Sequence, residues 1–367
     1  MAELFKNIYS ADFFAGFTDT LQKTVPGFDK TAFLANIFDG DWESRELKAR
    51  MRHISIVLND HLPGDYNSQV ETILQTIAQL QKDGYQEDSI EYMFFPDFME
   101  VYGLKHYDIS VTAFETVTKF TSCEFAVRPF IIKYEMQMVT RMLVWAKHNH
   151  PSVRRLASEG SRPRLPWAMA IPSFKKNPAP IMPILEALKN DPSESVRRSV
   201  ANNLNDISKD NPDLVISIAK RWQGASLDTD RLLKHASRTL LKQGGAEIMA
   251  LFGFGSVEDI HIKGFHILTP KVEIGGALKF TFTLVNTSAS ISKLRLEYGL
   301  YYQKANASLS RKVFKISEKD YGAKSETVIT RKQSFKIITT RVFHPGKHQL
   351  SLIINGTEMQ KLDFHLI

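Results

Sequence analysis

The densest set of chemically capable side chains is HPSVRRLASEGSRPRLPW at 150–167, where Arg154, Arg155, Arg162 and Arg164 surround one carboxylate, Glu159, before Pro166-Trp167. Each guanidinium presents a planar fork of donors, so Arg162 and Arg164 on a proline-stiffened loop suit phosphate capture. A second Val-Arg-Arg triplet supplies Arg197 and Arg198. Helical repeats commonly use an arginine after the valine to tie neighbouring turns together, so one arginine of each pair has a structural reading as well. Acidic residues in such surroundings repel phosphate and need a reason. Glu124 lies in CEFAVRPF just before Arg128, Glu159 comes after the first triplet, and Asp206 comes two turns after Arg198. Either each is an ion-paired surface or capping residue, or the three gather at the centre of a cationic groove.

The elements that must position these residues are helical over the first 250 residues. In 67–84, Val70, Ile73, Leu74, Ile77 and Leu80 recur at helical spacing, and Gly84 caps the last turn. The triplets starting at Val153 and Val196 are 43 residues apart, and a looser copy with Leu233, Lys234 and His235 lies 37 residues further on. Periods near 40 imply stacked helix pairs of the HEAT type, with a concave surface. After Gly253 and Gly255 the pattern changes to strand. Phe280, Phe282 and Leu284 alternate with polar neighbours, as do Leu294, Leu296, Tyr298, Leu300 and Tyr302. Asn355-Gly356 between two alternating runs is a hairpin signal. The expected fold is mainly α with an all-β C-terminal domain: a HEAT-like α-solenoid over 1–255, then an immunoglobulin-like sandwich of about seven strands over 256–367.

Composition narrows the classes. The chain has 367 residues, 43% hydrophobic and 24% charged, which excludes a disordered or collagen-like protein. One cysteine, Cys123, permits no internal disulfide and reads as a packed small side chain. No apolar run has the length of a membrane span. No P-loop or HExxH pattern occurs, and His148 and His150 lack the companions of a metal site; no metal or cofactor is expected. Net charge is +7, distributed as −9 over 1–100, +8 over 101–255 and +8 over 256–367. Segregated positive charge suits a polyanion, although RNA, DNA and acidic proteins all satisfy it. In the last segment the cations include Lys304, Arg311, Lys312, Lys315, Arg331, Lys332, Lys336 and Arg341. Adjacent pairs such as Arg311-Lys312 and Arg331-Lys332 would charge both faces of a strand, so they are expected in loops or at strand ends.

LASEGSRPRLPWA at 156–168, with CEFAVRPFI upstream and DPSESVRRSVANNLND downstream, resembles the AlkC branch of the HEAT-like alkylation-repair DNA glycosylases. LSRKVFKISEKD at 309–320 and KIITTRVFHPGKHQLSLIING at 336–356 resemble the immunoglobulin-like domain that many AlkC members carry. The resemblance implies a catalytic set of Glu124, Glu159 and Asp206 with Trp167 beside the lesion. It implies a monofunctional glycosylase hydrolysing the N-glycosidic bond of cationic N-alkylated bases in duplex DNA, among them 3-methyladenine and, as an unranked further candidate, 3-methylcytosine. Trp167 would then lay its π face on the cationic base, or else serve as a buried anchor for its loop. DNA contacts are expected from Arg154, Arg155, Arg162, Arg164, Arg197, Arg198, Arg311, Lys312, Lys315, Arg331, Lys332 and Lys336. A cytoplasmic, nucleoid-associated bacterial monomer with no membrane contact and no obligate protein partner is expected. The competing function is a non-enzymatic HEAT scaffold that binds nucleic acid or an acidic protein.

Overall fold

The computed structural model describes residues 4–87, 89–338 and 341–367. By packing, the chain forms two bodies: residues up to Val215 with Arg221–Ala236, and Ile216–Lys220 with Ser237–Ile367. The helices of the N-terminal part are α1 (Ala11–Thr24), α2 (Lys30–Ile37), α3 (Leu47–His61), α4 (Tyr66–Lys82), α5 (Phe94–Tyr102) and α6 (Tyr107–Val117). The chain continues through α7 (Val127–Trp145), α8 (Pro151–Gly160), α9 (Pro172–Lys176), α10 (Met182–Leu188), α11 (Glu194–Ile207), α12 (Pro212–Trp222), α13 (Leu227–Ala236), α14 (Arg238–Gln243) and α15 (Ala246–Leu251). Among the described residues no helix is long and apolar enough to cross a membrane.

Helix α4 illustrates how the apolar period becomes packing. Val70, Ile73, Ile77 and Leu80 are buried, and the helix ends as Gly84 takes a φ of 98° while Tyr85 N donates to Leu80 O at 3.0 Å. Around it the N-terminal helices share an aromatic core in which Phe14, Phe17, Phe33, Tyr92, Phe94 and Phe95 are buried.

The repeat period has a physical origin in one arginine per helix pair. Arg154 donates to both oxygens of Asp191, at 2.6 and 3.0 Å, and through Nη1 to the carbonyls of His148 and Asn149. Arg197 repeats the arrangement, with Nη1 on the carbonyls of Asp191 and Pro192 and Nη2 3.1 Å from Asp228. Each first arginine thus sews the turn before its own helix to the next helix pair. These bonds give both side chains a structural role, beside the DNA contact expected of them. The second arginines differ: Arg155 pairs with Glu124, and Arg198 lies exposed beside Glu194 on its own helix.

The second body is a sandwich of β1 (Ile260–Ile267), β2 (Lys271–Val272), β3 (Ala277–Asn286), β4 (Ser292–Gln303), β5 (Leu309–Tyr321), β6 (Ser325–Ser334), β7 (Gly346–Ile354) and β8 (Thr357–Leu366). One sheet has the order β1-β3-β6 and the other β2-β8-β7-β4-β5. Inner-facing Phe280, Phe282, Leu284, Leu294, Leu296, Tyr298 and Leu300 form its core. Asn355 and Gly356 both have positive φ, 45° and 82°, and Ile354 pairs with Thr357 across them, which is the hairpin expected from that dipeptide. Helix gives way to strand between Leu251 and Ile260. The bodies divide earlier, at Ser237, because α14 and α15 pack on the sandwich. Lys293 Nζ reaches Phe252 O at 2.8 Å and Asn355 Nδ2 reaches Gly255 O at 3.0 Å. A Cβ on Gly244 would lie 2.6 Å from the Gly356 Cα, so the backbones meet where neither residue has a side chain.

The cationic pairs of the sandwich lie near strand ends, one of the two places expected for them. Arg311-Lys312 and Arg331-Lys332 lie within β5 and β6, not in loops. Both strands are sheet edges, where each face of the pleat reaches water and charge on both faces discourages edge-to-edge association.

The two arginines of each triplet should separate in stability measurements. Arg154→Ala strands the buried Asp191 carboxylate and is expected to cost about 3 kcal/mol, whereas Arg198→Ala should stay within about 0.5 kcal/mol of wild type. Urea unfolding of both variants checks this, and equal losses would show that the repeat does not depend on the first arginine.

Candidate active site

The site is built at the C-terminal end of α8. Gly160 closes that helix where no side chain fits, since a Cβ there would lie 2.7 Å from Val127 Cγ2. The chain then turns away through Ser161, whose hydroxyl donates back to Ala157 O at 2.8 Å. Arg128, fully buried on α7, holds the turn and the loop beyond it: Nη1 donates to Gly160 O and Arg162 O at 3.0 and 2.8 Å, and Nε to Met169 O at 2.6 Å. Burial, reinforced by the charge of Arg162, pushes the Arg128 pKa down to about 10, so the guanidinium remains charged near neutral pH. Asn203 on α11 donates to Ser158 O and Ser161 Oγ, which registers α11 against this turn.

That register places Arg162 between two acids. Its Nη1 donates to Glu159 Oε1 at 2.6 Å and its Nε to Asp206 Oδ2 at 2.8 Å. All three side chains are nearly inaccessible. Burial disfavours the Arg162 charge, but Glu159 and Asp206 outweigh it and hold the guanidinium above its ordinary pKa. Lys209 Nζ meets the other oxygen of Asp206 at 3.0 Å.

Glu159, Arg162, Glu124 and Arg155 line a cavity of about 620 Å³. The N-terminal part also lines it with largely apolar residues, including Leu47, Met51, Ile90 and Met93, with Tyr9. Glu124 Oε2 accepts from Ser122 Oγ and from Arg155 Nη2, both at 2.9 Å. Trp167 stands on the cavity wall, 68% exposed and with its backbone at φ 64°. Such exposure removes the buried-anchor alternative for this residue.

Residues 261–367 match the family described as the C-terminal Ig-like domain of the uncharacterised protein YhaZ, and residues 181–210 match the HEAT repeat. The chain is 41% identical over 366 residues to the uncharacterized protein YhaZ of Bacillus subtilis (strain 168), with all of both chains covered. It is also similar over the full length of both chains, at 30% identity and a TM-score of 0.93, to the Pseudomonas fluorescens alkylpurine DNA glycosylase AlkC bound to DNA containing an abasic site analog. The chain belongs to the AlkC family.

In this AlkC member the three expected carboxylates divide into two kinds. Glu124 and Glu159 face the cavity, whereas Asp206 lies behind Arg162 and is not part of the cavity wall. Among the expected DNA-binding arginines, Arg162 is corrected to a buried bridge between acids, with no free fork for a phosphate. Arg164 is half exposed and meets both oxygens of Asp210 at the surface. Arg155 opens onto the cavity. Beside it, Arg198 borders a smaller pocket with Glu194, Ser195 and Asn202, and a neighbouring pocket continues past Arg231 and His235. On the sandwich, Arg311, Lys312, Lys315, Arg331, Lys332 and Lys336 are all exposed. Arg311 approaches Glu358 at 3.6 Å and Lys315 approaches Glu318 at 3.9 Å. Lys312 lies over Phe314, and Arg331 donates to Ile316 O.

Sequence reasoning passed over Arg128 and the apolar wall from the N-terminal part. Arg128 carried a usable signal, since a cation inside the apolar run CEFAVRPFI must find partners if it is buried. The wall residues carried none, because Met51 and Met93 look like any core methionine. His150 proves to be a helix cap, its Nδ1 accepting from Ser152 N, and Cys123 is fully buried, which pushes its thiol pKa up.

Arg128→Met should strand three carbonyls of the 160–169 turn and destabilise the protein by about 3 kcal/mol or more. Protease cleavage within 160–170 should appear under native conditions. A variant as stable and as resistant as wild type would show that the loop is held by its own bonds.

Proposed function

We propose that this AlkC member is a monofunctional DNA glycosylase that excises cationic N-alkylated bases, 3-methyladenine first among them, from duplex DNA. The observation that carries this reading is the convergence of Glu124 and Glu159 on one cavity beside the exposed indole of Trp167. The full-length likeness to a DNA-bound alkylpurine glycosylase supports it. The scaffold reading expects scattered carboxylates, so the shared cavity favours the enzyme.

An N3-alkylated adenine carries a positive charge and needs no general acid. When the C1′–N bond breaks, its electron pair passes to the base, which departs neutral, and oxocarbenium charge develops on the sugar. Fixed carboxylates at the cavity stabilise that charge more than they stabilise the ground state. Water then bonds to C1′ and gives its proton to Glu124 or Glu159. Asp206 acts one step back, since its bond to Arg162 Nε leaves Nη1 for Glu159 and fixes that carboxylate in place. Arg155 holds Glu124 while no DNA is bound. A phosphate that captures this guanidinium releases Glu124 toward the sugar and couples binding to readiness. The Trp167 face attracts the cationic base, an effect of roughly 0.5–2 kcal/mol depending on desolvation. In the bound state, Arg198 and the exposed cations on β5 and β6 meet phosphates.

Glu124→Gln and Glu159→Gln should each lower single-turnover release of 3-methyladenine about a hundredfold while leaving DNA affinity within a few-fold. Neutral hypoxanthine should not be released by the wild type, since it leaves poorly without protonation. Unchanged rates in both variants would remove these residues from the chemistry, and efficient hypoxanthine release would overturn the mechanism.

Replacing Arg331 and Lys332 by alanine should weaken binding and make the dependence of log K on log salt shallower by about 0.9 per lost phosphate contact. An unchanged slope and affinity in a salt titration would assign the sandwich edge another task.

A further inference from the structure

The backbone of Trp167 is in the left-handed region, at φ 64°. For a bulky L-residue this conformation is disfavoured because Cβ crowds the neighbouring carbonyl. It persists only where the surroundings over-determine it, and such strain gathers at ligand sites. Four bonds bear on this turn. Ala168 N donates to Leu165 O at 3.3 Å and Ile171 N to Pro163 O at 3.1 Å, both within the loop. Arg128 Nε holds Met169 O from below at 2.6 Å. The fourth comes from outside: Lys48 Nζ, on α3, donates to Trp167 O at 2.8 Å.

Lys48 gains little from its own helix, although its charge also acts on the Glu100 carboxylate and helps to lower that pKa against the larger effect of burial. It is the second residue of α3, and a cation in the first turn opposes the helix dipole. It is an exposed cation within a segment whose net charge is −9. Its ammonium also lies 5.0 Å from the ring centroid of Phe125, the residue after Glu124. Lys48, Phe125 and Trp167 all line the same cavity. One side chain therefore joins three parts of the wall: α3, the segment carrying Glu124, and the loop carrying the exposed indole.

We infer that Lys48 is a positioning residue that pins the Trp167 carbonyl, holds the strained turn and keeps the indole at the cavity mouth. The acidic N-terminal part then contributes to the site through this clamp as well as through its apolar wall. The consequence for base release rests on the glycosylase reading; the clamp itself does not. When a duplex covers the mouth and excludes water, the bond between ammonium and carbonyl strengthens, so the clamp is tightest when the indole is used.

The test uses the full chain with Lys48→Met, which keeps the apolar stem, and Lys48→Arg, which keeps a charged donor. Of the four tryptophans, Trp42, Trp145 and Trp222 are buried and Trp167 is exposed, so acrylamide quenching of fluorescence reports on Trp167. Lys48→Met should shift the quenching constant and the emission maximum, Lys48→Arg should restore both, and the shift should vanish in a Trp167→Phe background. In single-turnover release of 3-methyladenine, Lys48→Met should lower the rate roughly tenfold with DNA affinity unchanged. In a Trp167→Ala background, Lys48→Met should cause no further loss. Unchanged quenching in Lys48→Met, or rate losses that simply multiply in the double variant, would overturn the clamp. If the wild type releases no base at all, the glycosylase reading fails, and the fluorescence series still decides the clamp.

Discussion

Two buried guanidiniums organise the chemistry of this protein. Arg128 cannot lie in the core without acceptors, and the acceptors it takes are carbonyls of the turn that leaves α8. Once that turn is fixed, Arg162 has to point inward, where only paired carboxylates make its burial tolerable. Glu159 and Asp206 supply them from different helices. The geometry of the candidate site is thus a consequence of satisfying buried charge. A carboxylate held this way is fixed in place before any ligand arrives, which is the preorganisation that the proposed glycosylase reading calls for.

The HEAT period allows a second division of labour. Arg154 and Arg197 are bound by the same two types of partner, an aspartate of the next helix pair and carbonyls five and six residues back. Adjacent positions on a helix point about 100° apart, so the next residue in each triplet faces elsewhere. Arg155 lines the main cavity and Arg198 the smaller pocket beside it, while Arg197 shares with Arg198 the pocket next to that. A repeating structural element therefore delivers a repeating cation to one surface without any separate device.

Alternation made much of this legible. The helical spacing of 67–84, the strand pattern of 294–302 and the Asn355-Gly356 turn all report which face is buried, because side-chain direction is set by the backbone period. The same reasoning left open whether Arg311-Lys312 and Arg331-Lys332 lie in loops or near strand ends. It assumed that each strand has one covered face, and β5 and β6 are edges. Pairing position in a sheet is a long-range property that a local pattern does not carry.

The sequence by itself determined the two-part architecture, the repeat and the identity of the chemically able residues, since periodicity and residue type are local facts. It also put forward Glu124, Glu159, Asp206 and Trp167 as site candidates, through a family resemblance carried by motifs that no helix or repeat rule requires. Only the tertiary structure decided what each charge does. Arg162 looked like a free phosphate ligand until its distances to Glu159 and Asp206 were known, and Asp206 looked like a cavity residue until it lay behind Arg162. The contact of Lys48 with the Trp167 carbonyl spans 119 residues. A charge acquires its role from its partners and its access to water, and packing between helices distant in the chain sets both.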